Sequence, residues 1–307
     1  MYYIIYGFLY IFSLLPFFVL YAISDFLSFL LFKLFKYRLK VVLTNLDIAF
    51  PEKTYSEKLK IAREFYRNLT DTFLETIKLL SISEKAIAKR ISVDFSICNN
   101  LIDSGKNIQF LSGHQMNWEY AHYAFAKHFR EKWIGVYMKI NSKPIDRIFL
   151  KIRQKFDCIL ISAQDFKSQI KHIYPSQYAL ALIADQNPGW PGKSYWLNFF
   201  GKPAPFITGP EKGARLKNPA IVFVNFIKEK RGYYKFSETL ITERGTDLKN
   251  GQLTLIYRSL LEKAIQQQPS NYLWSHKRWK WSFEESLKPN WIDNTPPPNV
   301  TQPVEYS

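Results

Sequence analysis

Cysteine, histidine, methionine and glycine are scarce in this chain: 2, 5, 3 and 12 among 307 residues. Cys98 and Cys158 stand alone and form no CxxC, so they read as reduced core residues rather than a disulfide framework. No HExxH and no His–Cys cluster occurs, and no metal site is expected. There is no GxSxG elbow, no P-loop and no GxGxxG, so serine-hydrolase, P-loop and dinucleotide chemistry lack their signatures and no cofactor is expected. Acidic residues are outnumbered, 26 against 42 Lys plus Arg, for a net charge of +16. That excess calls for an anionic partner: nucleic acid, an anionic membrane surface or a phosphorylated substrate.

Apolar and aromatic surface is abundant. Hydrophobic residues make up 47% of the chain and aromatics 17%, enough for a core and for a greasy cleft or membrane face. Residues 1–32 carry a single charge, Asp25. This run exceeds the roughly 20 residues that span a bilayer. No Lys or Arg precedes Lys33, so it reads as a retained membrane anchor rather than a cleaved signal. Pro16 either kinks it or splits it into a re-entrant pair. Lys33, Lys36, Arg38 and Lys40 follow, which places the rest of the chain in the cytoplasm and the N-terminus outside if the segment spans. Residues 33–285 read as one catalytic domain, and the Pro-rich stretch 286–307 as a disordered tail.

Helical periodicity runs through 41–50 and from Ser56 to Leu80, with a short helix after Ser83. Short apolar strands are expected around 93–97, 108–111, 133–138, 159–161, 178–184, 220–226 and 233–237, with helices between several of them and over 253–267. That alternation describes an α/β fold with a mostly parallel sheet. Residues 198–206 read as an aromatic loop.

The stretch Phe110-Leu-Ser-Gly-His-Gln-Met-Asn-Trp-Glu119 is strand, tight turn, histidine, helix start. Asn117 is the expected N-cap, which puts Glu119 in the first helical turn. Five positions along a continuous helix would leave His114 and Glu119 on different faces, so they meet only if the backbone turns between them. The junction supplies that turn. A carboxylate there can take one imidazole proton, fix the tautomer and leave the other nitrogen as a base for a hydroxyl. The run 139–157 is basic, and Arg147 and Lys151 share a helix face that reads as phosphate-binding or solvated. Asp185-Gln186-Asn187-Pro188 lies at the end of an apolar strand, where ligand groups collect in open α/β sheets. The segment 272–281 interleaves three Trp with Lys and Arg, a pattern that can stack on bases, clamp the fold or line a membrane edge.

Several of these pieces stand in the order found in one family. They are Tyr37-Arg-Leu-Lys through Asn45-Leu46, Ala49-Phe-Pro51, Gly113-His-Gln-Met-Asn-Trp-Glu119, Val136-Tyr137, Arg153, Ala184-Asp-Gln-Asn-Pro188, Phe199-Phe-Gly-Lys-Pro203 and Tyr272-Leu-Trp-Ser-His-Lys-Arg-Trp279. The chain resembles the lipid A late (secondary) acyltransferases of the lysophospholipid acyltransferase superfamily over roughly residues 35–281. The resemblance implies an α/β domain with a mixed sheet flanked by helices at the cytoplasmic face of a bacterial inner membrane. It implies acyl transfer from an acyl carrier protein thioester to a hydroxyl of a lipid A precursor. His114 is then the general base, oriented by Glu119, and no acyl-enzyme forms. Asn117, Lys139, Arg153, Asp185 and Gln186 are the implied substrate-binding residues. Lys139 stands where family members often have Arg, and it lacks bidentate phosphate geometry. The aromatic surplus is expected to line a tunnel for the acyl chain. Another lipid acceptor, a lysophospholipid or a 3-hydroxyacyl aminolipid, is the alternative within this chemistry. A nucleic-acid-binding protein is the distant alternative, disfavoured by the N-terminal apolar segment, and no nucleic-acid partner is expected.

Overall fold

The computed structural model describes residues 1–156, 158–173 and 175–306. The apolar N-terminus forms α1 (Tyr2–Leu14) and α2 (Phe17–Phe29), the latter extended by a π-helical turn over Leu30–Leu34. They part at Pro16, which has no N–H to donate, and Leu15 before it is pushed to the extended region at ψ 140°. The helices α3 (Leu39–Ala49) and α4 (Tyr55–Lys78) follow. Thr54 and Glu57 close a reciprocal capping box at the start of α4. Ser83 caps the short α5 (Glu84–Ala88) through the Ala86 N–H.

The alternating part then runs β1 (Ile91–Val93), α6 (Ser96–Asp103), β2 (Ile108–Ser112), α7 (Trp118–Phe129), β3 (Trp133–Tyr137), α8 (Lys143–Arg153), β4 (Ile159–Ser162), α9 (Phe166–Ile173) and β5 (Ala179–Ile183). It continues through β6 (Tyr195–Phe199), β7 (Lys202–Phe206), α10 (Gly209–Lys217), β8 (Ala220–Lys230), β9 (Tyr233–Thr242) and α11 (Gln252–Gln267). Seven strands form one sheet in the order β1-β9-β8-β2-β5-β3-β4. Every neighbouring pair in it is parallel except the β8–β9 hairpin. The fold is α/β with a mixed sheet flanked by helices, as expected.

The sheet's alternation divides the core. On β2, Ile108 and Phe110 face a cluster with Phe125, Phe129 and Trp133, while Leu111 faces the opposite side with Leu253, Tyr257 and Leu261 of α11. On β8, Val222 and Val224 join the first side and Ile221 and Phe223 the second.

One expectation is corrected. Residues 198–206 belong to a β6–β7 hairpin and not to a loop. Its turn is Phe200-Gly201, both at positive φ (51° and 72°), the geometry whose twist suits a two-residue hairpin. The Pro-rich stretch after 285 folds back onto the body. Trp291 packs on Phe283, which packs on Trp196, and the Tyr306 hydroxyl donates to Asn45 Oδ1 at 2.8 Å. The aromatic residues within that polar stretch supply the burial that an all-polar tail would lack.

Candidate active site

Strands β2 and β5 are parallel neighbours, with Ser112 opposite Ile183, so the segments after them leave the sheet side by side. Gly113 follows β2, and a Cβ at that position would collide with Leu261 of α11. A larger residue there would require the Leu261 side chain to shift. The next residue, His114, meets Asp185 twice. Its backbone N–H donates to Asp185 Oδ2 at 3.0 Å, and its Nδ1 lies 2.6 Å from Oδ1. Asp185 is 1% exposed, and the His114 side chain keeps 24% of its surface. Burial alone would raise the Asp185 pKa. The charge and hydrogen bonds of His114, with the Tyr272 hydroxyl, outweigh it and hold the carboxyl at about 2. Asp185 therefore engages Nδ1, and in the neutral form of the ring this leaves Nε2 as the basic nitrogen.

The loop is stitched from behind by 271–273. Met116 donates its N–H to the Asn271 carbonyl at 3.0 Å, and Leu273 donates to the His114 carbonyl at 3.0 Å. The Tyr257 hydroxyl holds the Ser112 carbonyl at 2.8 Å. The segment 272–281 thus clamps the loop. Of the three readings open for it, this is the one its contacts realise.

Asn117 is the N-cap of α7, as expected, and its Oδ1 accepts from the N–H groups of Glu119 and Tyr120. Glu119 does not bond His114. It pairs with Arg153, whose Nε lies 3.1 and 3.0 Å from the two carboxylate oxygens and whose Nη2 also donates. The physical reason is direction. Glu119 projects from the first turn of α7 towards the end of α8, while the imidazole folds back over the ends of β2 and β5. The carboxylate on Nδ1 is therefore Asp185, where Glu119 was expected. Burial disfavours the Arg153 cation, yet Glu119 raises its pKa above the usual value.

The remaining expected site residues are dispersed. Asn117 is fully buried, and its amide is committed to the cap and to Glu75 (2.9 Å), which closes it to a ligand. Lys139 is exposed and pairs with Asp165 at 2.9 Å. Gln186 is half-buried beside Asp185. Arg147 and Lys151 of the basic run stack over Tyr2 and Tyr6 of α1, each at 4.3 Å from the ring centroid. An apolar slot between Leu111, Ala184, Phe206 and Tyr257 is packed down to about 10 Å³, too small by itself to hold an acyl chain.

Two supporting groups were not foreseen. Glu75, 1% exposed, accepts from Asn117, from Tyr21 (2.8 Å) and from Tyr234 (2.7 Å), and burial raises its pKa. The only sequence signal was excess polarity on a buried helix face, at Asn68, Asp71, Thr72 and Glu75. His122, one turn after Glu119, accepts from Trp133 Nε1 at 3.1 Å, which leaves Nε2 to donate to the Arg153 carbonyl at 3.2 Å. It fastens the end of α8 beside Glu119.

Residues 1–281 match the family model for bacterial lipid A biosynthesis acyltransferases. The chain belongs to that family. The lipid A biosynthesis lauroyltransferase of Escherichia coli (strain K12) is 24% identical to it over 279 residues, 89% of each chain. Membership gives the coarse activity, acyl transfer in lipid A biosynthesis, and with it a bacterial membrane setting and a lipid acceptor. In this lipid A biosynthesis acyltransferase, the histidine that opens after β2 is held by a carboxylate from β5, and the neighbouring glutamate is held by an arginine from α8.

Proposed function

We propose that this chain transfers a fatty acyl group from an acyl carrier protein thioester to a hydroxyl of a lipid A precursor, at the cytoplasmic face of a bacterial inner membrane. The observation that supports it most is the His114–Asp185 pair, with a buried ionised carboxylate on Nδ1 and Nε2 left as the base. His114 Nε2 takes the acceptor's O–H proton as its oxygen attacks the thioester carbonyl. The tetrahedral centre collapses, the C–S bond breaks, and the imidazolium returns the proton to the departing thiolate. No nucleophilic Ser or Cys intervenes, so the ester forms directly.

Glu119 serves the site without touching His114: it holds Arg153, and Arg153 is the proposed electrostatic partner of the developing oxyanion. The +16 charge suits both an acidic carrier protein and the phosphates of the acceptor. The exposed apolar faces of α1 and α2 attach the enzyme to the membrane.

The test is acyl transfer followed by mass spectrometry. Acyl carrier protein thioesters and a tetra-acylated lipid A precursor are supplied to the wild type and to His114→Ala, Asp185→Asn and Glu119→Gln. One added acyl group, lost in His114→Ala and strongly reduced in the other two, is the expected result. Transfer only to lipids in a total extract would keep the chemistry and replace the acceptor. A folded protein without activity on either would refute the assignment.

A further inference from the structure

Residues Phe17–Leu34 form a continuous helix long and apolar enough to cross a membrane. We infer that it does not cross, and that α1 and α2 lie flat as a bent strap in one leaflet, with the two ends of the chain on the same side. This rests on the membrane attachment proposed above.

The strap is tied to the body along its whole length. The side chains of α2 that turn inward are Leu20, Ser24 and Ser28. Ser24 Oγ lies 2.7 Å from Asp71 and 2.8 Å from Thr70 on α4, and the Tyr21 hydroxyl donates to Glu75 one turn further along α4. At the bend, Lys78 Nζ donates to the carbonyls of Ser13 (2.7 Å) and Leu15 (2.9 Å). At the far end, Arg147 of α8 stacks on Tyr2. A crossing would carry Tyr2 to the opposite face of the bilayer, away from the helix that holds it.

The middle of α2 gives a second argument. Asp25 sits halfway along Phe17–Leu34 and pairs with Arg67 at 2.9 Å and with Arg231 at 2.9 Å. The side chains of Asp25 and Arg67 are 47% and 51% exposed. In a crossing pose this half-open charge cluster would sit at the bilayer centre, where ionised groups are costly. The length of α1 argues the same way: 13 residues make about 20 Å, short of the roughly 30 Å hydrocarbon core.

The outward faces fit a leaflet. Ile4, Phe8 and Ile11 of α1 and Phe18, Phe26 and Phe29 of α2 are all more than half exposed. Cations border them: Arg90 lies over Phe17 at 3.5 Å, and Lys33, Lys36 and Arg38 follow α2. An apolar stripe edged by Lys and Arg is the pattern of a helix lying in the interface of an anionic membrane.

The experiment uses the full chain with one protease-cleavable epitope ahead of Met1 and another after Ser307, in inside-out and right-side-out inner-membrane vesicles. Cleavage of both epitopes in the inside-out preparation alone is expected. Cleavage of the two in opposite preparations would show a crossing and overturn the inference, while leaving membrane attachment intact. Release of the protein by alkaline carbonate would remove attachment and the inference together. As a second reading, Phe18→Ser/Phe26→Ser/Phe29→Ser should bind phosphatidylglycerol-containing vesicles at least about tenfold more weakly than wild type, because apolar burial scales with the inserted face. Unchanged binding would overturn the assignment of that face.

Discussion

Asp185 is buried to 1%, and its carboxylate is held by two hydrogen bonds from His114 and, when the ring is protonated, by its charge. Its carboxyl sits at about 2, below the ordinary 3.8. A depressed carboxylate contributes stability that is fully present above the ordinary value and lost as pH falls towards the folded one. The difference corresponds to about 2 kcal/mol. Denaturation of wild type and Asp185→Asn should therefore show a gap at pH 7 that narrows steeply between pH 4 and pH 2; a constant gap would mean that the carboxylate is not held ionised. Glu75 carries the opposite sign. Its pKa is raised, chiefly by burial, so the ionised form opposes folding and stability falls as pH rises through the shifted value. Glu75→Gln should flatten that fall in melting curves recorded across the acid range.

Activity at the residue scale separates two roles. Asp185→Asn keeps the shape but offers Nδ1 the wrong partner, so turnover should fall by about 10²- to 10⁴-fold with little change in acceptor KM. Glu119→Gln leaves a nearly buried guanidinium without its anion. Loss of one member of such a pair costs about 3 kcal/mol, readable from urea midpoints. Adding Arg153→Met should recover part of that stability. If Arg153 meets the oxyanion, the double variant stays inactive; restored turnover would make the pair a structural strut only.

At the scale of elements, the loop between β2 and α7 owes its form to neighbours on both sides. Asn117 caps α7, Glu75 of α4 holds Asn117, and residues 271–273 fasten the loop's backbone. The cap was readable in the sequence, because Asn before an apolar helical run is a local signal. Glu75 was not, because its partners come from α2, α7 and β9. The β6–β7 hairpin is a local device that escaped notice, since Phe at the first turn position lacks the usual Asn-Gly signature. Gly201, at φ 72°, should lose about 1 kcal/mol on change to Ala, measured by thermal denaturation.

At the scale of the whole molecule, the apolar N-terminus is part of the fold as well as an attachment. Asp71, Glu75 and Lys78 each bond to α1 or α2 or to the turn between them. Removing residues 1–34 should therefore not release a stable soluble enzyme. The truncated chain is expected to melt well below the full chain in the same detergent and to aggregate on size exclusion. A monomer with unchanged melting would show that the strap contributes nothing to the body.

The sequence by itself determined most of the elements and their order along the chain, the β6–β7 hairpin excepted, together with the family and the identity of the candidate chemical groups. These rest on local periodicity, capping and short motifs, which need no knowledge of distant contacts. Only the tertiary structure decided which groups meet. His114 and Glu119 are five positions apart, yet the partner of the imidazole is Asp185, 71 residues away, because parallel pairing of β2 with β5 aligns their ends. Glu119 turns to Arg153 for the same kind of reason: α7 and α8 lie side by side, and the helix start aims the carboxylate at its neighbour. The long apolar run was legible as a run, but its polar ties to α4 and α8 depend on how the chain packs and not on hydropathy.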